Sequence, residues 1–513
     1  MCGIAGIIGN NSNEAKKLIR SLKHRGPDDS GWWNDKEVLL IATRLMITSD
    51  KKEGAQPFVK DDYVLVFNGE IFNYYSLKNS LEKAYRFRTN TDTEVLMQGL
   101  IAEGESFIDR LDGQFAFAFY DIKNNRVLLA RDQTGRMPLY YTNSKDGRFI
   151  FASEIKGILS VGVEAEIKEG DENFRYQWSN EIPLTNATVF KDIYQLLPGQ
   201  LLSIDVIKQT IRTRRYYQIT QPRVEYKPES YFLSRLSDLL EKSVSRELTG
   251  HARIGLSYSG GIDSTIILKM LKEKLDYTPI AIAAFRDEKY FDTVREASMM
   301  FDTKLVEIAL NKKIIKELPR TINAIETYGM GHGIELLHFN ISKKAKNQGI
   351  KVLMCGAGLD EEFLGYRHFL APIFNQNTGK QLEEKLIKER HTEIRQLYNS
   401  HLSVRDRTRM AHGIEARVPF VNLPIIEFAT RIPPSYCVGK TGEVKKILRK
   451  SSLKFLPREY AYMKKIQSYT HSNIFSIIRE ELDINTNEEY LTICREILRK
   501  IFIDGKNANS INV

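Results

Sequence analysis

A chain of 513 residues is too long for one ordinary core, and its length suggests two to four domains. Its 42% apolar and 27% charged residues are typical of a globular protein that can bury sizeable cores. The apolar runs are strand-sized, far below the roughly 20 residues of a membrane helix, and no basic and then apolar stretch opens the chain. We therefore predict no membrane partner and a cytoplasmic location.

The formal net charge is +10, but lysines and arginines are spread among acids and form no basic arm. This distribution favours an ordinary solvated surface, with attraction of small anions as a lesser effect, and we predict no nucleic-acid partner. The four cysteines (Cys2, Cys355, Cys437 and Cys494) are too scattered for a disulfide framework or a zinc site.

The chain begins Met-Cys-Gly, and loss of the initiator methionine would make Cys2 the first residue. Its thiol would then lie beside its own α-amine, which places a nucleophile and a base in one residue. From position alone, a small buried residue at the start of an edge strand is the simpler interpretation.

Short strands separated by turn residues follow, a pattern typical of stacked antiparallel sheets. Strands are predicted over residues 39–46, 64–67 and 113–121, and an apolar helix is predicted shortly after residue 91. Polar residues and one glycine stand at or near the ends of these elements: Arg44, Asn68, Gly69, Glu70 and Asp92.

These motifs, in this order, resemble the class II glutamine amidotransferase domain, a fold in which two antiparallel sheets lie between helices and the N-terminal residue is the nucleophile. The resemblance implies that Cys2 attacks the carboxamide of glutamine, with the Asn68 side chain and the Gly69 N–H forming the oxyanion hole. A guanidinium suits the α-carboxylate of glutamine and a carboxylate suits its ammonium. The implied glutamine-binding residues are Arg44, Asn68, Glu70 and Asp92.

The strand pattern weakens after residue 197, and residues 219–228 carry two prolines without a clear period. We therefore predict a first domain over 1–205, a linker over 206–228 and a second domain over 229–513. From residue 231 helices and strands alternate, which predicts an α/β domain with a parallel sheet and a helical C-terminal part.

One predicted strand of the second domain leads into the segment Ser257-Tyr-Ser-Gly-Gly-Ile-Asp-Ser264, which opens a helix. Its glycines let the backbone approach a phosphate, while its hydroxyls and the helix start supply hydrogen-bond donors. It has neither the Walker lysine nor the Gly-x-Gly-x-x-Gly fingerprint. The plain alternative is a Ser/Gly turn between a strand and a helix.

Another strand, over residues 351–355, delivers a second glycine-rich segment that contains Asp360. Because ligands collect at the carboxyl ends of parallel strands, both segments should face one crevice. Asp263 and Asp360 would then share Mg²⁺ on a pyrophosphate group. The alternative is that each acid only caps a helix.

The Ser257 segment resembles the Ser-Gly-Gly-x-Asp-Ser loop of the N-type ATP pyrophosphatases, which cut ATP to AMP and pyrophosphate. Two later segments, Glu415-Ala-Arg-Val-Pro-Phe420 and Tyr462-Met-Lys-Lys-Ile-Gln467, resemble signatures of asparagine synthetases. To about residue 475 the chain thus resembles the glutamine-hydrolysing asparagine synthetase family.

This resemblance implies ATP and Mg²⁺ as cofactors, Lys465 as the group that neutralises the leaving pyrophosphate, and Glu415 as a residue that orders that site. The implied ATP-binding residues are Leu256, Ser257, Ser259, Gly260, Gly261, Asp263, Ser264, Gly356 and Gly358. The implied metal ligands are Asp263 and Asp360. The oligomeric state stays open, with a homodimer as one candidate.

The likeness breaks at Ala357, where the family usually has a glutamate beside the nucleophile and the acyl-adenylate, and Asn422 replaces the usual aspartate. We expect a glutamine-dependent amide-forming ligase whose default carboxylate is aspartate. Two alternatives stay open: a different carboxylate, such as a sugar acid or a natural-product intermediate, and a regulatory protein with an inactive synthetase site.

Overall fold

The computed structural model describes residues 1–9, 14–47, 53–168, 185–220, 223–248, 250, 252–328, 333–439, 442–463 and 472–513. The strands of this part are β1 (Cys2–Ile8), β2 (Asp29–Asn34), β3 (Val38–Arg44), β4 (Phe58–Lys60), β5 (Tyr63–Ile71), β6 (Gly113–Asp121), β7 (Arg126–Arg131), β8 (Tyr140–Asn143), β9 (Phe149–Ala152), β10 (Tyr194–Gln195), β11 (Gln200–Asp205), β12 (Thr210–Arg215), β13 (Ile254–Ser257), β14 (Ile280–Phe285), β15 (Leu305–Ala309), β16 (Val352–Met354) and β17 (Glu415–Arg417).

The helices of the same part are α1 (Ala15–Leu22), α2 (Tyr74–Leu81), α3 (Asp92–Glu103), α4 (Ile155–Leu159), α5 (Glu229–Arg246), α6 (Ile262–Lys274), α7 (Lys289–Met300), α8 (Leu318–Ile325), α9 (Ile334–Asn347), α10 (Leu359–Glu362), α11 (Arg367–Gln376), α12 (Gly379–Leu397), α13 (Ser403–Met410), α14 (Leu423–Arg431), α15 (Pro434–Cys437), α16 (Lys446–Ser452), α17 (Arg458–Ala461), α18 (Ser472–Leu482) and α19 (Asn487–Phe502). A π-helical turn, Tyr398–Leu402, joins α12 to α13.

Two antiparallel sheets form the N-terminal part, with strand orders β10-β8-β9-β1-β3-β2 and β12-β11-β7-β6-β5-β4. Every residue of β1 and β3 is buried, because the first sheet is covered on one face by the second sheet and on the other by helices. Ile4 and Val66 belong to the core between the sheets, whereas Leu18 of α1 packs on the outer face of the first sheet. The predicted sandwich of two antiparallel sheets between helices is confirmed.

The second sheet carries α2 and α3 on its outer face, where Leu77 and Val95 join Phe67 and Phe117 in one apolar cluster. The side chain of Thr91 accepts a hydrogen bond from the Glu94 N–H and so caps α3. The cap fixes where the helix begins, and it therefore fixes the place of Asp92.

A parallel sheet with the order β15-β14-β13-β16-β17 forms the core of the C-terminal part. The chain runs outwards from β13 through β14 to β15, and later returns on the other side of β13 with β16. The carboxyl ends of β13 and β16 therefore meet at a topological switch point, where open α/β sheets bind ligands. The predicted α/β domain with helices around a parallel sheet is confirmed.

One boundary needs correction. The segment 206–228 was expected to be a linker, but β12 lies within it and pairs with β11 along its whole length. This edge strand was missed because five of its six residues are exposed, so its sequence lacks the alternation of apolar and polar residues that marks a half-buried strand. No helix within the described ranges is long and apolar enough to cross a membrane.

Candidate functional site

The nucleophile candidate Cys2 lies at the start of β1, directly opposite Arg44 of β3. Its backbone N–H donates to the Asn68 Oδ1 atom at 2.8 Å, a contact that joins the first sheet to β5 of the second. Burial raises the pKa of the Cys2 thiol, and the charges of the amino terminus and of Arg44 oppose that rise. A buried thiol of this kind needs a base close by before it can act as a nucleophile.

The predicted oxyanion-hole donors lie next to each other on β5. Asn68 is fully buried, and no atom of the described residues accepts a hydrogen bond from its Nδ2 group. Gly69 has a φ of +146°, and a Cβ atom there would lie 1.9 Å from the Gln114 carbonyl oxygen, so only glycine fits. A buried donor without an acceptor is costly, which suits a position where an oxyanion forms only during the reaction.

The predicted glutamine-binding side chains surround the same place. Arg44 and Glu70 are largely buried, at 6% and 7% exposure. Asp92 accepts a hydrogen bond from the Ile71 N–H at 3.0 Å, which holds it beside the end of β5. Burial raises the pKa of Asp92 to about 6, although the N–H groups of Ile71 and Thr93 oppose the rise.

Glu415, predicted to order the synthetase site, has its described contacts at the amino terminus. Its Oε2 atom accepts from the Met1 ammonium at 2.8 Å, and its Oε1 atom accepts from the Arg417 Nε atom at 2.7 Å. Arg417 reaches onward to the Glu70 carboxylate at 3.0 Å. β17 thus brings Glu415 to the amino terminus, between the two halves of the chain, and the idea that it orders the synthetase site stays a prediction, because Lys465 falls outside the described residues.

The phosphate-loop candidate has a compact geometry between β13 and α6. The Ser259 and Ser264 hydroxyl oxygens lie 3.2 Å apart, and the Gly261 N–H donates to the Ser259 Oγ atom at 3.3 Å. Gly260 takes a φ of +72°, which glycine adopts without strain. Gly261 is the N-cap of α6, so the first N–H groups of a 13-residue helix point towards the loop opening.

The two glycine-rich segments are in contact, as the strand order predicts. A Cβ atom on Gly356 would lie 2.6 Å from the Asp263 Cβ atom, so the second loop can pass the first only because residue 356 is glycine. Both loops line one pocket. Of the predicted ATP-binding residues, six line the pocket: Ser257, Ser259, Gly261, Asp263, Ser264 and Gly356. Leu256 in β13, and Gly260 and Gly358 in the two loops, are not among the residues that line it in the described part of the chain.

Asp263 and Asp360 face each other across this pocket, and Lys445 lies between them. The Lys445 Nζ atom is 2.6 Å from the Asp263 carboxylate and 2.8 Å from that of Asp360. Burial disfavours the ammonium, but the two carboxylates outweigh that effect and raise the pKa of Lys445. Lys445 also has a φ of +54°, an unusual conformation for a residue other than glycine, and such strain clusters at functional sites.

Two carboxylates that meet at a phosphate loop fit Mg²⁺, which takes one or two carboxylates together with phosphate oxygens and water. The contact with Lys445 supports this fit, because Asp263 and Asp360 already hold a cation, the Lys445 ammonium, between their carboxylates. Sequence reasoning missed Lys445, because it stands beside Lys446 in a basic stretch and nothing local separates the two.

Other pocket residues were also missed, among them His338, Glu361, His401 and Arg405. Glu361 accepts from the Tyr366 hydroxyl at 2.7 Å and lies 3.2 Å from the His401 Nε2 atom. Predicted Lys465 falls outside the described residues.

Comparison with known proteins finds a different family match for each half of the chain. A family model described as glutamine amidotransferase domain matches residues 1–217, and one described as asparagine synthase matches residues 235–390 and 378–506. Three relatives named as glutamine-hydrolysing asparagine synthetases span most of the chain. The relative from Methanocaldococcus jannaschii is 30% identical over 85% of this chain and 81% of its own. Those from Escherichia coli and Bacillus subtilis are each 28% identical, over 91% and 94% of this chain and 82% and 74% of their own.

Proposed function

Because the chain belongs to the glutamine-hydrolysing asparagine synthetase family, we propose that it hydrolyses glutamine at Cys2 and uses the ammonia to amidate a carboxylate activated by ATP. Aspartate is the default acceptor. The observation that carries the first half is the buried Asn68 Nδ2 donor, which lies beside Cys2 and has no acceptor among the described residues.

In the glutaminase half, the Cys2 sulfur attacks the carboxamide carbon of glutamine, ammonia leaves, and water then hydrolyses the thioester to glutamate. Asn68 Nδ2 and the Gly69 N–H stabilise the oxyanion at both stages, and two such donors supply several kcal/mol of the barrier reduction. Removal of Met1 would give Cys2 a free amine to take up the thiol proton. Arg44 binds the substrate carboxylate, while Asp92 and Glu70 bind its ammonium.

In the synthetase half, the acceptor carboxylate attacks the α-phosphorus of ATP and pyrophosphate leaves. The Ser259 loop and the start of α6 donate hydrogen bonds to the phosphate oxygens. Asp263 and Asp360 would hold Mg²⁺, which neutralises charge on the pyrophosphate. Lys445, and Lys465 by its family position, add positive charge, and ammonia then displaces AMP from the acyl-adenylate.

The residue at position 357 bears on which carboxylic acid is the acceptor. Ala357 supplies no carboxylate where the family usually has one, so an acceptor other than aspartate is the second candidate.

The decisive experiment is product analysis by mass spectrometry after incubation with glutamine, ATP, Mg²⁺ and aspartate. Asparagine and AMP formed in equal amounts would establish the default reaction. Glutamate without AMP formation would leave the glutaminase half standing and would remove aspartate as the acceptor. If neither glutamate nor AMP appears, the proposal fails.

A further inference from the structure

Two arginines of α13 point to the same end of the synthetase pocket. Arg405 and Arg409 are separated by four residues, so they lie on one face of the helix. Arg405 lines the pocket together with Cys355 and Ala357. Arg409 lies behind them, and the charges of both arginines, together with a hydrogen bond from Arg409, lower the pKa of Cys355 although burial alone would raise it.

The charge of Arg409 is poorly compensated. Its side chain is only 1% exposed, and no oxygen or nitrogen atom of the described residues accepts a hydrogen bond from any of its three side-chain nitrogens. The Nε atom of Arg405 also lacks an acceptor there, and its Nη1 atom donates only to the His401 carbonyl oxygen at 3.2 Å. Two like charges one helical turn apart repel each other, and burial makes the repulsion more costly.

Two acids near these arginines are bound, wholly or in part, by other groups. Asp406, which lies between the two arginines in sequence, forms a bidentate pair with Arg25 at 2.7 and 3.0 Å. Glu361 lines the same pocket and interacts with the charge of Arg405, but it also accepts from the Tyr366 hydroxyl and lies 3.2 Å from His401 Nε2, so its charge is shared among these groups. A thiolate at Cys355 would supply one negative charge for two guanidinium groups.

Ala357 lines the same pocket as Arg405. Where the family usually has a glutamate, which can hold an amine, this pocket presents a methyl group beside the Arg405 guanidinium, with the charge of Arg409 buried behind it. We infer that the pocket accepts a carboxylic acid that carries a second anionic group, a carboxylate or a phosphate, and no ammonium group at that end. This inference rests on the proposed function, because it names the class of acceptor that the same site activates.

The first test is ATP–pyrophosphate exchange with four acids of similar length. Succinate matches aspartate without the ammonium group, 3-phosphonopropionate replaces one carboxylate with a phosphonate, and butyrate lacks the second anion. We expect kcat/KM for succinate or 3-phosphonopropionate to exceed that for butyrate by about tenfold or more, which is the contribution of one charge-assisted hydrogen bond. We expect it to exceed that for aspartate as well, because the ammonium of aspartate has no carboxylate at position 357 to bind it and is repelled by the arginine charges. Whichever of succinate and 3-phosphonopropionate has the higher kcat/KM shows whether the second anionic group is a carboxylate or a phosphate. Preference for aspartate, or equal use of butyrate, would overturn the inference and leave the proposed ligase intact.

Variants show whether the arginines cause the preference. Arg405→Gln should abolish it, Arg405→Lys should keep part of it, and Arg431→Gln, at a half-exposed arginine of α14, should not change it. Arg409→Met should abolish the preference while the melting temperature of the ligand-free protein stays equal or rises, since a poorly paired buried charge is removed. A lower melting temperature with the preference unchanged would mean that Arg409 is only structural.

A second test does not depend on ligase activity. In a Cys2→Ser background, Cys355 is alkylated with iodoacetate or with iodoacetamide, and the modified peptides are measured by mass spectrometry. Each reagent forms a carbon–sulfur bond with release of iodide, but only iodoacetate carries a carboxylate that Arg405 and Arg409 could bind. Iodoacetate should react several-fold faster, and Arg405→Gln should remove the advantage. Iodoacetamide reacting equally fast or faster would overturn the inference. Selective alkylation without exchange on any acid would support the anion site and count against the ligase.

Discussion

Replacing Lys445 with methionine would remove the ammonium between Asp263 and Asp360 and leave two carboxylates facing each other. The lysine side chain is 3% exposed and the aspartates are 18% and 16% exposed, so all three lie mostly away from water. Loss of one partner from a buried ion pair costs about 3–5 kcal/mol. Because the aspartates keep some contact with solvent, we expect the lower end of that range in the free energy of unfolding.

Magnesium should then stabilise the variant more than the wild type, since a divalent cation can replace the missing ammonium. A ligand at ten times its dissociation constant adds about 1.4 kcal/mol to the free energy of unfolding. Urea unfolding at several Mg²⁺ concentrations measures both effects. Lys450→Met is the matched control: its pair with Glu229 is partly exposed, at 37% and 26%, and such pairs contribute about 0–1 kcal/mol.

The reasoning would be refuted if Lys445→Met cost no more than Lys450→Met and Mg²⁺ had the same effect on both variants. Asp263 and Asp360 would then tolerate each other without a cation, and they would no longer be candidates for a shared metal site. Lys445→Met is also expected to lose ATP–pyrophosphate exchange, because the pocket loses a positive charge where pyrophosphate departs.

Three further results are expected. Cys2→Ala should abolish glutamine-dependent synthesis and spare synthesis from added ammonia; equal loss of both would contradict separate sites. The kcat/KM for glutamine should fall about tenfold per pH unit below a pH of about 6, because protonated Asp92 cannot bind an ammonium. The control is Asp92→Asn, whose profile should be flat. A flat wild-type profile over the pH range in which the protein stays folded would contradict the role of Asp92. Ala357→Glu should raise exchange with aspartate relative to succinate, as measured by kcat/KM for each acid, and an unchanged ratio would mean that Ala357 does not set acceptor choice.

The parts that the sequence predicts well are set by neighbouring residues. The Ser259 loop is recognisable because the glycines, the hydroxyls and the helix start lie within eight residues, and the structure places them between β13 and α6. The position of Asp92 follows in the same way from the Thr91 cap. Topology then adds one long-range fact, that the loops after β13 and β16 share a crevice.

The parts that the sequence does not predict depend on contacts between distant segments. Lys445 meets Asp263 across 182 positions, and its neighbour Lys446 would look equally suitable in any local pattern. Arg405 and Arg409 belong to a helix rich in basic residues, and such a sequence is typical of a solvated surface. Only the structure shows that α13 packs against β17 and α9. β12 was missed for the opposite reason, because an exposed edge strand lacks the alternation that reveals a half-buried one.

Glu415 offers a test of how the two halves of the chain depend on each other. In the chain that retains Met1, its carboxylate is fully buried against the Met1 ammonium and Arg417; Arg417, which also holds Glu70, is the partner that stays after Met1 is removed. Burial alone would raise the pKa of Glu415, but these two cations hold it well below its usual range. The folded-state pKa is thus lowered, so the carboxylate stabilises the fold at neutral pH and loses this contribution as the pH falls below about 4.5.

Glu415→Gln keeps the shape and removes the charge, and we expect it to cost about 3 kcal/mol at pH 7 because Arg417 loses a buried partner. The difference from the wild type should narrow as the pH falls from about 4.5, where the carboxyl group of the unfolded chain takes up a proton, to about 2, where the folded protein does so too. Glu389→Gln is the control of opposite sign: burial raises the pKa of Glu389 to about 7, so its charged form disfavours the fold at pH 7 and its removal should not lower the free energy of unfolding. The KM for glutamine should rise in Glu415→Gln alone, because Arg417 would no longer hold Glu70 in place. Equal unfolding free energies and equal KM values in the two variants would show that β17 does not support the glutaminase site.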